Sequence, residues 1–236
     1  MTATTHPVSA IAQRAKRALN VGEFAAAGAP EVVGPVALVC PVERQYVLRM
    51  AVRVDGKDFH IPNELAWLRE AFDMALAYQR GVVGVEHSFC YITVRHGFVT
   101  SETDDAWHVD GFSTRITHIP EQNYIWTNVN STEFVDLAVP FPDGFDPLVH
   151  NVNSYLETRI KDTPVQQCAP GVLTCMDPYI LHRRPVGSEG MVRTFVRISF
   201  VPIEINDVHN TPNPLIPRAY DRDGVAFRRE LLDYPG

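Results

Sequence analysis

From Pro62 to about Gln79, apolar residues recur at helical spacing (Leu65, Leu68, Phe72, Ala75, Leu76) with polar residues between them. That period predicts an amphipathic helix, opened by Pro62 and stopped by Gly81. An earlier stretch, 9–27, sets Ile11, Ala15, Ala18 and Leu19 on one face and predicts a second helix. Between them lie two β-rich runs, 32–39 and 46–54. The second alternates apolar and polar residues and ends at Asp55-Gly56, a hairpin signal. Beyond Gly81 the pattern becomes short strands separated by turns, at 89–95, 106–112, 124–129, 165–168, 171–176 and 192–201. Residues 140–147 read as a loop, 148–160 as a short helix, and the polar tail from Asn206 ends in a last predicted helix at 225–232. Many short strands behind a helical N-terminal third predict a mainly β fold with flanking helices, a sandwich or jelly roll. No linker interrupts the pattern. A single domain over 1–236 is expected, with helical support to about residue 82, a β core over about 84–205 and a tail over 206–236.

Composition narrows the partners. The 236 residues are 45% hydrophobic and 21% charged, enough to bury one sizeable core. A net charge of −7 and scattered basic residues argue against a nucleic-acid partner. No apolar run approaches the roughly 18 residues of a membrane span, so no membrane role is expected. Gln13, Arg14, Lys16 and Arg17 interrupt what would be a signal-peptide core, and a cytoplasmic location is expected. Cys40, Cys90, Cys168 and Cys175 fall at no zinc or disulfide spacing and read as free thiols.

The chemistry concentrates in three segments. In Asp105-Ala-Trp-His108-Val-Asp110 the histidine and aspartate lie two apart, so on a strand both point to one face and can reach one metal ion. The spacing alone is weak, since a chain with nine histidines gives roughly 0.6 His-x-Asp pairs by chance. A second segment, Pro170-Gly-Val-Leu-Thr-Cys-Met-Asp-Pro-Tyr-Ile-Leu-His182-Arg-Arg-Pro, brings an apolar strand through an Asp-Pro break to another histidine. Two histidines and one carboxylate suit non-haem Fe(II) and leave one face of the ion open. Downstream, Arg193, Arg197 and Ser199 share strand parity. A guanidinium there suits a dicarboxylate, because its planar fork binds carboxylate bidentately and keeps its charge.

In this order, His-x-Asp, distal His, then Arg, the stretch 89–203 resembles the Fe(II)/2-oxoglutarate-dependent dioxygenase superfamily. The resemblance implies a double-stranded β-helix, a distorted, cupin-like jelly roll with the iron inside. It implies His108, Asp110 and His182 as iron ligands and Arg193 as anchor of the 2-oxoglutarate C5 carboxylate. Arg197 is the rival for that role and Ser199 an assistant. Tyr91, on the strand before the triad, is a candidate hydrogen-bond partner of the co-substrate. The implied reaction takes 2-oxoglutarate and dioxygen to succinate and CO₂ while a substrate C–H bond is oxidised. Asp110 occupies the carboxylate position that a halogenating relative leaves vacant, which favours hydroxylation over chlorination.

Trp107, Trp126, Asn128 and Arg184 are candidates for the substrate pocket, although aromatic residues on short strands commonly pack in cores. The substrate expected is a small molecule, such as an amino acid or a biosynthetic intermediate. A protein or nucleic-acid hydroxylase or demethylase of the same superfamily is one alternative. A non-catalytic, cupin-like metal-binding protein is another, and a zinc hydrolase a third. The acidic stretch 101–105, just before the first ligand, is placed where a mobile lid would sit.

Overall fold

The computed structural model describes residues 25–26, 28–101, 106–110, 121–137, 139–146 and 149–217. The helix predicted at 225–232, most of the acidic stretch and most of the helix predicted at 9–27 lie outside them. Within the last of these, Ala25–Ala26 (β1) is extended, not helical, and pairs antiparallel with Val139–Pro140. This corrects the helix boundary: pairing with a distant strand supplies the backbone bonds that local alanine propensity would have satisfied in a helix.

Antiparallel strands make up most of the regular secondary structure among the described residues. Strands β2 (Glu31–Pro35), β3 (Gln45–Arg53), β4 (Phe89–Phe98) and β5 (Gln122–Thr127) precede three very short ones, β6 (Glu133–Phe134), β7 (Val139–Pro140) and β8 (Gln166–Gln167). Then follow β9 (Val172–Met176), β10 (His182–Arg183) and β11 (Val192–Val201). A large sheet runs β2-β9-β5-β11-β4-β3 and a small one β10-β6-β8. His108 extends the small sheet by an isolated antiparallel bridge to His182. From β4 the chain passes to His108 in the small sheet, back to β5, across to β6 and β8, back to β9, across to β10 and back to β11. That winding is a jelly roll, one of the two folds that the pattern of strands left open and the one that the resemblance implied.

The helical segment of the N-terminal third covers one face of the large sheet. It begins as a 3₁₀ turn at Asn63–Leu68, continues as α1 (Arg69–Tyr78) and ends in a π turn at Gln79–Val83. Leu65, Leu68, Phe72 and Ala75 are fully buried, packing on Ile92 and Val94 of β4, Val196, Ile198 and Phe200 of β11, and Tyr124 of β5. Gly81 does not stop the helix. Gly84 does, in the left-handed conformation (φ 69°), with its N–H donating to the Gln79 carbonyl. The reason is Gln79, whose buried amide donates to the Val85 carbonyl and accepts from the Tyr124 hydroxyl, which stabilises one more turn. A second helix, α2 (Val152–Arg159), is capped by the Asn151 side chain on Ser154 N–H.

Asp55 and Gly56 are both left-handed (φ 54° and 71°), as a primed hairpin turn requires. Yet β3 pairs with β4 rather than with the segment that follows the turn. Arg53 explains this, since its guanidinium donates to the carbonyls of Gly56, Lys57 and His87 and ties the turn to the approach to β4. No helix among the described residues is long and apolar enough to cross a membrane.

Candidate metal centre

The face of the large sheet turned away from α1 carries the polar chemistry. Side chains alternate along β11, so Val196, Ile198 and Phe200 enter the helix-covered core while Arg193, Phe195, Arg197 and Ser199 face the small sheet. Register then sets their neighbours: Arg197 lies between Thr93 of β4 and Ile125 of β5, and Ser199 between Tyr91 and Asn123.

His108, Asp110 and His182 converge here, with ligand atoms all within 4.8 Å of one another. The two imidazoles lie 4.4 Å apart between ring centroids because backbone bonds join the residues, His108 N–H to His182 O and His182 N–H to His108 O. Each ring is oriented the same way. Nδ1 of His108 is 2.9 Å from the Ala106 carbonyl, and Nδ1 of His182 is 2.9 Å from the Ile180 carbonyl. A carbonyl only accepts, so both Nδ1 atoms carry the proton and both Nε2 lone pairs are free to bind a metal. The Nε2 atoms of His182 and His108 stand 3.7 and 4.0 Å from the Asp110 carboxylate. Two neutral imidazole nitrogens and one carboxylate, side by side around a gap of this size, fit Fe(II) in the two-histidine, one-carboxylate pattern.

Charge states suit that role. Burial pushes the His182 imidazole down to about 4, outweighing the pull of the Asp110 charge, so the ring is neutral near pH 7. Burial works to raise the Asp110 pKa, but attraction to His182 once that ring is protonated in acid, then to Arg197, His108 and Arg49, outweighs it and holds the carboxyl at about 2. Asp110 is therefore ionised and ready to ligate.

Behind Asp110 stands a network that the sequence reading missed. Asn123 Nδ2 donates to Asp110 Oδ2 (2.8 Å) and to Glu121 Oε1 (2.9 Å), and its Oδ1 accepts from the Ser199 hydroxyl (2.5 Å). Only one orientation of the amide satisfies all three, because two carboxylates both need donors. Arg197 adds a guanidinium 3.6 Å from the same Asp110 oxygen. Glu121 is buried, and burial first, then repulsion by Asp110, pushes its pKa up to about 7. The signal available beforehand was parity: Glu121, Asn123 and Ile125 alternate with the core residues of β5.

A cavity of about 130 Å³ opens beside the histidines, lined by Thr93, Ile125, Thr132, Phe195 and five arginines at 95, 183, 184, 193 and 197. The structure thus brings Arg193, Arg197 and Arg184 to the same cavity as the triad. Arg197 is engaged with Asp110. Arg193 is buried, its Nε donating to the Asn130 carbonyl (3.1 Å) and its guanidinium lying over the Phe195 ring.

Other candidates stand elsewhere. Ser199 acts on Asn123 and does not line the cavity. Tyr91 packs with Ala51, Phe89 and Val201, its hydroxyl accepting from Ile205 N–H, so β4 carries it past the cavity into a separate cluster. Trp126 faces the helix-covered core, donating to the Val36 carbonyl, because its parity on β5 is opposite to that of Asn123. Asn128 bonds the backbone of Val192 and Thr194 and pins the start of β11. Trp107 is buried against Val109 and Leu181, with Arg183 4.6 Å above its ring. It supports the small sheet next to His108 and does not line the cavity.

No family model and no curated protein matches the sequence. Solved structures do resemble the chain in outline. AviO1 from Streptomyces viridochromogenes Tue57 is 16% identical, with 88% of this chain and 90% of that one aligned at a TM-score of 0.37. EvdO2 from Micromonospora carbonacea var. aurantiaca, solved in complex with 2-oxoglutarate, is 12% identical over 72% of this chain and 74% of its own, with a TM-score of 0.38. An oxidoreductase of the 2OG-Fe(II) oxygenase family from Burkholderia pseudomallei is 14% identical over 67% and 66%, with a TM-score of 0.33. At these values nothing about ligands or substrates passes from those proteins to this chain.

Proposed function

We propose that this chain is an Fe(II)- and 2-oxoglutarate-dependent oxygenase that hydroxylates, or otherwise oxidises a C–H bond of, a small molecule such as an amino acid or a secondary-metabolite intermediate. The observation that carries the reading is the convergence of His108, Asp110 and His182 beside a small cavity whose wall holds the buried Arg193. His108, Asp110 and His182 would hold the iron, and the cavity beside the two histidines would take a chelating co-substrate and dioxygen. With both bound, the iron would supply oxidation of a C–H bond coupled to decarboxylation of 2-oxoglutarate to succinate.

The protein's part is placement. His108 and His182 present Nε2 because their Nδ1 protons are held by backbone carbonyls. Asp110 is fixed by Asn123 and kept ionised by Arg197. Arg193, held in its plane by Asn130, would take the far carboxylate of 2-oxoglutarate with a two-pronged charge-assisted contact. Phe195, Ile125 and the lining arginines reduce the space left for water.

The direct test is anaerobic loading with Fe(II), addition of 2-oxoglutarate and air, and quantification of succinate. Succinate above the metal-free control is expected, and His108→Ala, Asp110→Ala and His182→Ala should each abolish it while leaving the melting curve cooperative. Full iron occupancy with no succinate, even across a panel of amino acids and other small metabolites, would mark a metal-binding protein without turnover. Succinate formation by any of the three variants under controlled iron would overturn the ligand assignment.

A further inference from the structure

The two imidazoles of the candidate metal centre are each tied to their own segment of chain, His108 by the Ala106 carbonyl and His182 by the Ile180 carbonyl. Their spacing therefore depends on how the two segments are placed against each other. Backbone pairing contributes little to that placement. His108 and His182 form an isolated bridge of two hydrogen bonds, 2.9 and 3.0 Å, and β10 itself is two residues long. A ladder so short sets no register of its own, and a slip of one residue would turn one imidazole to the opposite face. Side chains must specify the register.

One step along from the bridge, antiparallel pairing sets Trp107 opposite Arg183. The Arg183 guanidinium lies 4.6 Å from the centre of the Trp107 ring, over its face. Its Nε donates to Glu133 Oε2 at 2.7 Å, and Glu133 is the register partner of Arg183 between β6 and β10. Trp107 is buried with Val109 and Leu181 in the cluster that Val152 and Leu156 of α2 complete. A cation–π contact and a charge-assisted hydrogen bond thus run from the His108 segment through Arg183 to β6. They cross the same three segments that the backbone joins by so few bonds. Both contacts are directional, and both are met in the register in which His108 faces His182.

We infer that Arg183 is a positioning residue for the metal: clamped between Trp107 and Glu133, it fixes the register that brings the Nε2 atoms of His108 and His182 to one ion. The inference rests on the reading of His108, Asp110 and His182 as ligands and involves neither the co-substrate nor the substrate.

Arg183 also borders the cavity, so the test is made without 2-oxoglutarate. Co(II) is titrated into the full chain by calorimetry, and the Cu(II)-loaded protein is examined by pulsed EPR, which counts coordinated imidazoles. Wild type is expected to bind one Co(II) and to show two imidazoles. Arg183→Gln removes both contacts and should weaken Co(II) binding about tenfold or more, the range for losing a group that orients metal ligands. Part of its Cu(II) sites should carry one imidazole. Trp107→Leu should do the same, and the double variant should lose little more than either single one, because the two side chains act as one clamp. Arg183→Lys keeps a cation over the ring without the fork and should recover part of the loss. Phe72→Leu, in the helix-covered core, lowers stability away from the clamp and should leave Co(II) affinity within about twofold of wild type. Should Arg183→Gln fail to fold, Glu133→Gln is read in its place, with a loss of about threefold expected because the acceptor stays but its charge goes. Folded Arg183→Gln and Trp107→Leu variants that bind Co(II) as wild type does, with two imidazoles on Cu(II), overturn the inference and leave the ligand assignment standing. An equal loss in Phe72→Leu overturns it too, by making the effect one of stability alone. Wild type that binds no Co(II) overturns the ligand assignment and the inference with it.

Discussion

Asn123 holds the rear of the metal site, and the effect of replacing it with alanine can be worked out bond by bond. The side chain is 1% exposed and makes three short hydrogen bonds, to Asp110, to Glu121 and from Ser199. Asn123→Ala leaves the half-buried Asp110 carboxylate, the buried Glu121 and the Ser199 hydroxyl each short of a partner. A hydrogen bond to a charged group contributes about 1.5–3 kcal/mol and a neutral one about 1 kcal/mol, so stability should fall by on the order of 3–5 kcal/mol after local relaxation. Metal binding should suffer as well, because Asp110 loses the donor that sets its orientation. Loss of a hydrogen bond that orients a ligand typically lowers metal affinity 10–100-fold, or about 1.4–2.7 kcal/mol. The assay is anaerobic Fe(II) titration by calorimetry, alongside denaturant unfolding of the metal-free protein. Asn123→Asp should bind iron no better than Asn123→Ala, since it keeps the shape but sets three carboxylates together. Iron affinity within about twofold of wild type in a folded Asn123→Ala variant would refute the idea that this residue positions Asp110.

Further outcomes are expected at the two arginines, at Glu121 and at Asp110. Arg193→Gln should raise the apparent KM for 2-oxoglutarate steeply, a loss of about 2–5 kcal/mol in co-substrate binding, with iron affinity little changed. Arg197→Gln should chiefly weaken iron binding, because Arg197 touches Asp110; the reverse pattern would exchange the two roles. Glu121→Gln should stabilise the metal-free protein at pH 8 and not at pH 5. In the wild type the unfolded chain sheds the Glu121 proton from about its ordinary 4.5, whereas the folded protein holds it to about 7. Stability therefore falls across that window as pH rises, by on the order of 3 kcal/mol at most, and a gap in melting temperature that is equal at both pH values would sink this account. Asp110→Gly should be nearly inactive, and wild-type turnover in chloride should give an oxygenated or desaturated product by mass spectrometry; a chlorinated wild-type product would contradict the role of Asp110 as a ligand.

The strands that carry the site were legible where alternation is long. The stretch 192–201 was read with the bounds it has, and the parity that puts Arg193 and Arg197 on one face follows from the pleat alone. The helix from Pro62 was legible from its period, but its end was not, because the side-chain bonds of Gln79 reach Tyr124 and Val85 and override the glycine at 81. The short strands at 133–134 and 182–183 have no period to read, since two residues make no pattern. They exist because the facing segments are brought together by the rest of the fold.

Taken by itself, the sequence determined the types of the candidate ligands and the order in which they occur, because metal chemistry restricts which side chains can serve and strand parity restricts which can share a face. It also determined that the fold would be mainly β, since short apolar runs between turns cannot bury themselves in any other way. Only the tertiary structure decided which polar residues stand behind those ligands. Asn123 and Ser199 are 76 residues apart, and their contact depends on β5 and β11 pairing in one register. A slip of one residue would turn Asn123 into the helix-covered core and Trp126 toward the candidate metal site. Trp126, a candidate for the pocket, is a core residue for that reason: local sequence sets the alternation, and long-range pairing sets its phase.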